Sequence, residues 1–215
     1  MKRHELHIIT TGRQELNEVA AIARQCPAGL IDVLHIREKQ RGARELAEWY
    51  ETLQPLLADT AVYMNDRLDA ALAVGAPGVQ LAYSSLSVAQ SRRILPASVR
   101  IGCSVHSAAE GAAAAEQGAD YVLYGHIFDS NSKPGLPPRG TAALAEVVEA
   151  CPVPVIAIGG IEPDNVDEVL SSGCSGIAVL SAVLLHPDPS GQAVRFHEAL
   201  ERSRHIPKYK PAKLH

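Results

Sequence analysis

The chain is poor in aromatic residues, which make up 4% of its 215 residues although 47% are hydrophobic. A core of this composition is expected to be built from Ala, Val, Ile and Leu, the mixture of parallel sheets covered by helices. Long apolar runs are missing as well. No stretch approaches the roughly 18 continuous apolar residues of a membrane span. Residues 1–10 carry Lys2 and Arg3 with no long apolar segment behind them, and read as a first strand rather than a signal peptide. Neither sign of charge dominates. A net charge of −4 and a pI of about 6.1 give nucleic acid or a membrane surface no basic patch to bind. Cysteine is scarce: Cys26, Cys103, Cys151 and Cys174 are scattered and form no CxxC pair. Reduced, buried thiols in a cytoplasmic protein are the expectation, and zinc or redox motifs find little support.

What is present is an alternation. Short apolar runs at 6–9, 31–36, 61–64, 78–81, 99–103, 121–124, 153–158 and 176–180 read as strands. Ala-rich stretches with helical spacing lie between them, at 15–25, 43–57, 88–95, 107–117, 141–150 and 165–171. Strands alternating with helices imply parallel pairing through right-handed crossovers. Gly118-Ala119-Asp120 and Gly173-Cys174-Ser175-Gly176 each close a helix with Gly and turn into a strand. Eight such strands fit a closed (β/α)8 TIM barrel, a single α/β domain over residues 1–204, better than a doubly wound open sheet. Residues 205–215, with Lys208, Lys210 and Lys213, read as a disordered basic tail.

In such a barrel the chemistry sits at the carboxyl ends of the strands. Polar residues collect there: Arg37 and Lys39, Asn65, Ser104 and His106, His126, Gly159 and Gly160, and Ser181 after Leu180. Glycines after the seventh strand let backbone approach a ligand and aim N–H groups at phosphate oxygens. A second such loop after the eighth strand, at Leu180-Ser181, makes a phosphate site the expectation. Arg37 and Lys39 are two apart in an extended segment and share a face, as anion-binding residues would and as a solvated charge run also would. The irregular stretch 129–140, with Lys133, has the length and position of an active-site loop. His126 can exchange a proton near neutral pH, although a lone histidine at a strand end is more often structural. His35, His106 and His126 share no ligand spacing, so no metal site is expected.

These residues resemble a known family. Leu34-His35-Ile36-Arg37-Glu38-Lys39, Met64-Asn65-Asp66-Arg67, Ile101-Gly102-Cys103-Ser104-Val105-His106-Ser107, Gly118-Ala119-Asp120-Tyr121, Ser132-Lys133 and Ala157-Ile158-Gly159-Gly160-Ile161 resemble the thiamin phosphate synthase superfamily in order and spacing. The resemblance implies a (β/α)8 barrel and a homo-oligomer, a dimer or larger. One branch of that superfamily joins a pyrimidine pyrophosphate to a thiazole phosphate with magnesium. The other, the TenI-like thiazole tautomerases, isomerises a thiazole phosphate carboxylate without a cofactor.

Three residues point to the tautomerase branch. Ser85 stands where the synthases have an acid that helps to hold magnesium, His35 where they have Gln, and Gly125-His126 where they have Gly-Pro. The resemblance then implies an isomerase in thiamin biosynthesis that needs no metal. His126 would carry the proton, and Arg37, Lys39 or Lys133 would meet the carboxylate. Gly159, Gly160, Leu180 and Ser181 would hold the phosphate, with Asn65, Ser104 and His106 positioning the ring. The synthase itself is the alternative enzyme, and a phosphate-ligand-binding regulatory protein the alternative outside enzymes.

Overall fold

The chain is described here by a computed structural model that covers residues 4–57, 59–130 and 135–208. Eight strands run in sequence order: β1 (Glu5–Ile9), β2 (Val33–Ile36), β3 (Ala61–Asn65), β4 (Gly78–Leu81), β5 (Arg100–Val105), β6 (Tyr121–Gly125), β7 (Val155–Ile158) and β8 (Gly176–Val179). Each pairs in parallel with the next, and β8 pairs with β1, so the sheet closes into a barrel. The helices between them are α1 (Leu16–Gln25), α2 (Ala43–Leu53), α3 (Leu68–Val74), α4 (Val88–Ile94), α5 (Ala108–Glu116), α6 (Gly140–Ala150) and α7 (Val166–Leu170). After β8 come a one-turn helix, α8 (Ser181–Leu184), and the longer α9 (Pro189–Arg202). No helix among the described residues is long and apolar enough to cross a membrane.

The alternation read from the sequence is therefore the fold, with two differences. The second and seventh strands start two residues later than their apolar runs, because Ile31 and Val153 belong to the entering loops. The short α3 has no counterpart among the expected helices, and neither has α9. Its start is coded by Asp188, whose side chain accepts the Gly191 N–H, and by Pro189 in the first turn. Ala193, Phe196, Ala199 and Leu200 then make its buried face. Of the expected tail, residues 205–208 are described: the Lys208 N–H donates to Gly173 O at 2.9 Å, and His205 O lies 3.0 Å from His4 Nε2. The rest of that segment is outside the described residues.

Two cores result from the alternation of side chains along each strand. Outward-facing aliphatics such as Leu6, Ile8, Ile36, Met64 and Ile101 pack against the helices. Inward-facing Ile9, Val33, Tyr63, Tyr121, Leu123, Ile156 and Ala178 fill the barrel. The interior departs from the purely aliphatic filling that composition suggests. His7 and His35 are fully buried and meet through Nδ1 and Nε2 at 3.0 Å. His7 Nε2 lies 2.8 Å from the Glu5 carboxylate, and Tyr63 and Tyr121 stand edge-on to these rings. An imidazole N–H facing a carboxylate is the donor. His7 Nδ1 is then an acceptor, His35 Nε2 donates to it, and His35 Nδ1 is left as a buried acceptor with no hydrogen-bond partner among the described residues.

The Gly118-Ala119-Asp120 turn has a structural explanation. Arg92 on α4 donates to Gly118 O and Val99 O, each at 2.8 Å, and pairs with Asp120. The Asp120 carboxylate also accepts the Ile101 N–H at 2.7 Å. One ion pair thus ties α4, β5 and the entry to β6 together.

Candidate active site

A cavity of about 330 Å³ opens at the carboxyl ends of the strands. Arg37, Lys39, Asn65, Ser104, His106, His126, Gly159 and Leu180, all singled out from the sequence, line it. Beside it lies a smaller cavity of about 120 Å³, lined by Gly159, Gly160, Leu180 and Ser181 together with Asp129 and Glu162. Gly159 and Leu180 belong to both. Lys133 lies outside the described residues.

Local rules place each side chain. Between Arg37 and Lys39, Glu38 points the other way and is buried; its carboxylate accepts the Gly12 N–H at 3.3 Å and Gln40 Nε2 at 3.3 Å. That pin ties the loops after β1 and β2 together and leaves its two cationic neighbours on the cavity side. Neither Arg37 nor Lys39 makes an ion pair or side-chain hydrogen bond among the described residues, whereas Arg41, Arg67 and Arg92 are all paired with carboxylates. His106 is fixed by the start of α5: Ser107 caps the helix by accepting the Glu110 N–H, and Glu110 reaches back to the His106 N–H at 2.8 Å. The His106 imidazole lies 3.4 Å from the same carboxylate.

The floor is polar and incompletely bonded. Gln80, the polar residue that β4 carries at this end, donates to Ser104 Oγ and Leu81 O, each at 3.1 Å, and leaves Oε1 without a partner among the described residues. The Asn65 Oδ1 is buried and also unpartnered. His126 is 7% exposed, and its Nε2 lies 3.1 Å from Leu136 O. Facing a carbonyl, Nε2 carries the proton, and the buried Nδ1 of the neutral ring is a free acceptor. Arg139 braces this loop by donating to Gly125 O at 3.0 Å and His106 O at 2.9 Å. Tyr83, assigned no role in the site from sequence, stands on the rim and is 95% exposed. Gln80 was visible as a polar residue on an apolar strand; no sequence signal marks Tyr83.

The smaller cavity depends on glycine. Gly159 and Gly160 have φ of 102° and 67°, a region that side-chain-bearing residues rarely enter. A Cβ on Gly159 would overlap His126 Cβ, and one on Gly160 would overlap Asp129 O. The short helix α8 starts at Ser181 on the opposite wall, so its first N–H groups have no partner within the helix. About 120 Å³, near four water volumes of ~30 Å³, is room for one phosphoryl group.

A closed β/α barrel with a glycine-walled cradle next to a cation-lined cavity has the architecture of proteins that handle small phosphorylated molecules. Residues 6–183 match the family described as thiamine monophosphate synthase, and the chain belongs to it. It is 44% identical to a thiamine-phosphate synthase of Chlorobium phaeovibrioides over 170 residues, 78% of this chain and 81% of the relative. A thiamine-phosphate synthase of Methanoregula boonei is 42% identical over 190 residues, 86% and 88% of the two chains. Among solved structures, a thiamine phosphate pyrophosphorylase from Pyrococcus furiosus superposes with a TM-score of 0.82 at 33% identity, covering 93% of this chain and 96% of the other.

These relatives correct the branch read from the sequence. The two sequence relatives are named as synthases, which are transferases, and the assignment to a thiazole tautomerase, an isomerase, does not stand. The structure shows why local substitutions misled. His35 does not line the cavity; it bonds His7 in the barrel interior. Ser85 also lies off the cavity, and its hydroxyl accepts the Ala82 N–H at 2.8 Å to close its own turn. Two of the three discriminating residues are thus occupied with the scaffold.

The magnesium that the synthase resemblance implies is not matched by these side chains. Asp66 is exposed, has a φ of 64° and does not line the cavity, and the Ser85 hydroxyl is engaged. The described residues contain no group of three His, Cys, Asp or Glu side chains placed to hold a metal ion.

Proposed function

We propose that this protein is a thiamine-phosphate synthase, a transferase that joins a pyrimidine bearing a methyl pyrophosphate to a thiazole ethyl phosphate. The thiazole nitrogen forms a bond to the pyrimidine methylene carbon. The carbon–oxygen bond to pyrophosphate breaks, and its electron pair leaves with that group. The ring nitrogen becomes a thiazolium cation and no proton changes hands. The chain's task is to hold two anionic molecules with their reacting atoms together and to meet the charge that grows on the leaving group.

One observation carries this reading: a one-phosphoryl cradle shares Gly159 and Leu180 with a cavity whose wall holds two cations that have no carboxylate partner among the described residues. The cradle of Gly159, Gly160, Leu180 and Ser181 takes the thiazole phosphate through backbone N–H groups. Arg37 and Lys39 take the pyrophosphate, Arg37 through its paired donors. Lys133 is assigned to the same anion on sequence grounds. His126 orients rather than shuttles: with Nε2 committed to Leu136 O and Nδ1 buried, its ring packs beside the pyrimidine. Asn65, Ser104 and His106 position the rings.

The test is incubation of the protein with both substrates, with and without magnesium, followed by chromatography for thiamine phosphate. The proposal expects one thiamine phosphate per pyrophosphate released. Absence of both products under either condition overturns it.

A further inference from the structure

A third cavity, of about 600 Å³, continues from the cradle. It shares Glu162, Leu180, Ser181 and Ala182 with the cradle, and Arg37 and Leu180 with the barrel mouth. A phosphoryl group in the cradle is therefore not at a dead end. On the far side are Arg13, from the loop after β1, and His186, just after α8. The coupling reaction described above uses neither.

Arg13 is presented by a fixed turn. The preceding Gly12 has a φ of 72°; its N–H donates to Glu38 and its carbonyl accepts Gln40 Nε2 at 3.1 Å. The Arg13 guanidinium has no ion pair or hydrogen bond among the described residues. His186 Nδ1 lies 3.0 Å from both the N and the O of Asp188, which holds the ring in place. With Arg37, three basic side chains line this space. The carboxyl that faces them is Glu162, which lies 3.5 Å from Gln192 Nε2. Glu162 is exposed, and partial burial raises its pKa while the nearby His186 opposes that shift. On the other side of the cradle Asp129 is exposed.

From this geometry we propose that the protein also binds diphosphate esters, above all the pyrophosphorylated form of its own product, with the first phosphoryl group in the cradle and the second in this outer cavity. Such a ligand would occupy the thiazole phosphate site and act as a competitive inhibitor. The inference rests on the synthase reading, because that reading puts the product's phosphate in the cradle.

The test is calorimetric titration of the full chain with thiamine monophosphate, thiamine diphosphate and inorganic pyrophosphate, on wild type, Arg13→Gln and His186→Gln. The diphosphate ester is expected to bind about tenfold or more tighter than the monophosphate, and either substitution should remove most of that preference while leaving the monophosphate unchanged. Equal affinity for the two esters, or an undiminished preference in Arg13→Gln, overturns the proposal. So does a loss in Arg13→Gln confined to inorganic pyrophosphate, which would assign the cavity to the leaving group. Failure of thiamine monophosphate itself to bind would instead sink the synthase reading beneath it.

Discussion

Replacing His35 with Gln should flatten the acid limb of the stability profile. His35 is fully buried, bonded to His7 and left with an unpartnered Nδ1. Burial first, then the nearby His7 and Arg100, hold its pKa well below the ordinary 6.5. In the unfolded chain the same ring takes up a proton at its ordinary value. Below about pH 6.5 the unfolded state thus binds one proton more than the native state. Stability falls as pH falls, and the contribution is whole above that pH. The slope is about 1.4 kcal/mol for each pH unit over which native His35 stays neutral. Gln is the residue that the synthase resemblance places here, and it keeps a donor for His7 without a titrating group. The assay is urea denaturation of both proteins from pH 7.5 to 4.5 at constant ionic strength. Carboxylates such as Asp69, whose pKa Arg67 lowers, lose stability in acid equally in both proteins and cancel in the difference. The two curves should diverge below pH 6.5. Parallel curves through that range would refute the burial argument.

Arg37→Ala removes a cation with no carboxylate to release; a loss of about 2 kcal/mol, or thirtyfold in kcat/KM, is expected for the pyrimidine pyrophosphate, with Arg37→Lys recovering part of it in steady-state assays. Gly159→Ala forces a side chain into the φ region near 102° and against His126; strain of about 1–3 kcal/mol should raise KM for the thiazole phosphate more than for its co-substrate. Arg92→Ala cuts the tie between α4, β5 and β6, leaving Gly118 O and Val99 O without their donor. A drop of about 2 kcal/mol in unfolding free energy, read by denaturant melts, should leave KM values near wild type.

The barrel was legible because its signals are local. An apolar run followed by a stretch of helical spacing marks most of the β/α units, glycines close several of the helices, and eight strands close the sheet. The location of the site followed from the same logic, since whatever stands just after a parallel strand lies at one end of the barrel. That is why Arg37, Asn65, Ser104, His126, Gly159 and Leu180 converge on one cavity. The failures were not local. His35 and Ser85 stand in positions that the resemblance ties to chemistry, but here one pairs with His7 on the neighbouring strand and the other closes a turn. Which way a strand-end side chain points depends on its tertiary partner, and the linear motif does not contain that partner. The Glu5–His7–His35 chain was invisible for the same reason, because it links residues 28 apart across two strands. Helix α9 was missed despite its Asp188 and Pro189 start, since Gly191 and a polar first turn dilute its period.

The most direct test of the account is a crystal structure of the protein with thiamine phosphate bound. The account places the phosphate within hydrogen-bonding distance of the N–H groups of Gly160 and Ser181, and the pyrimidine ring in the larger cavity beside Arg37 and His126. A product molecule whose phosphate lies away from the loops after β7 and β8 would contradict it.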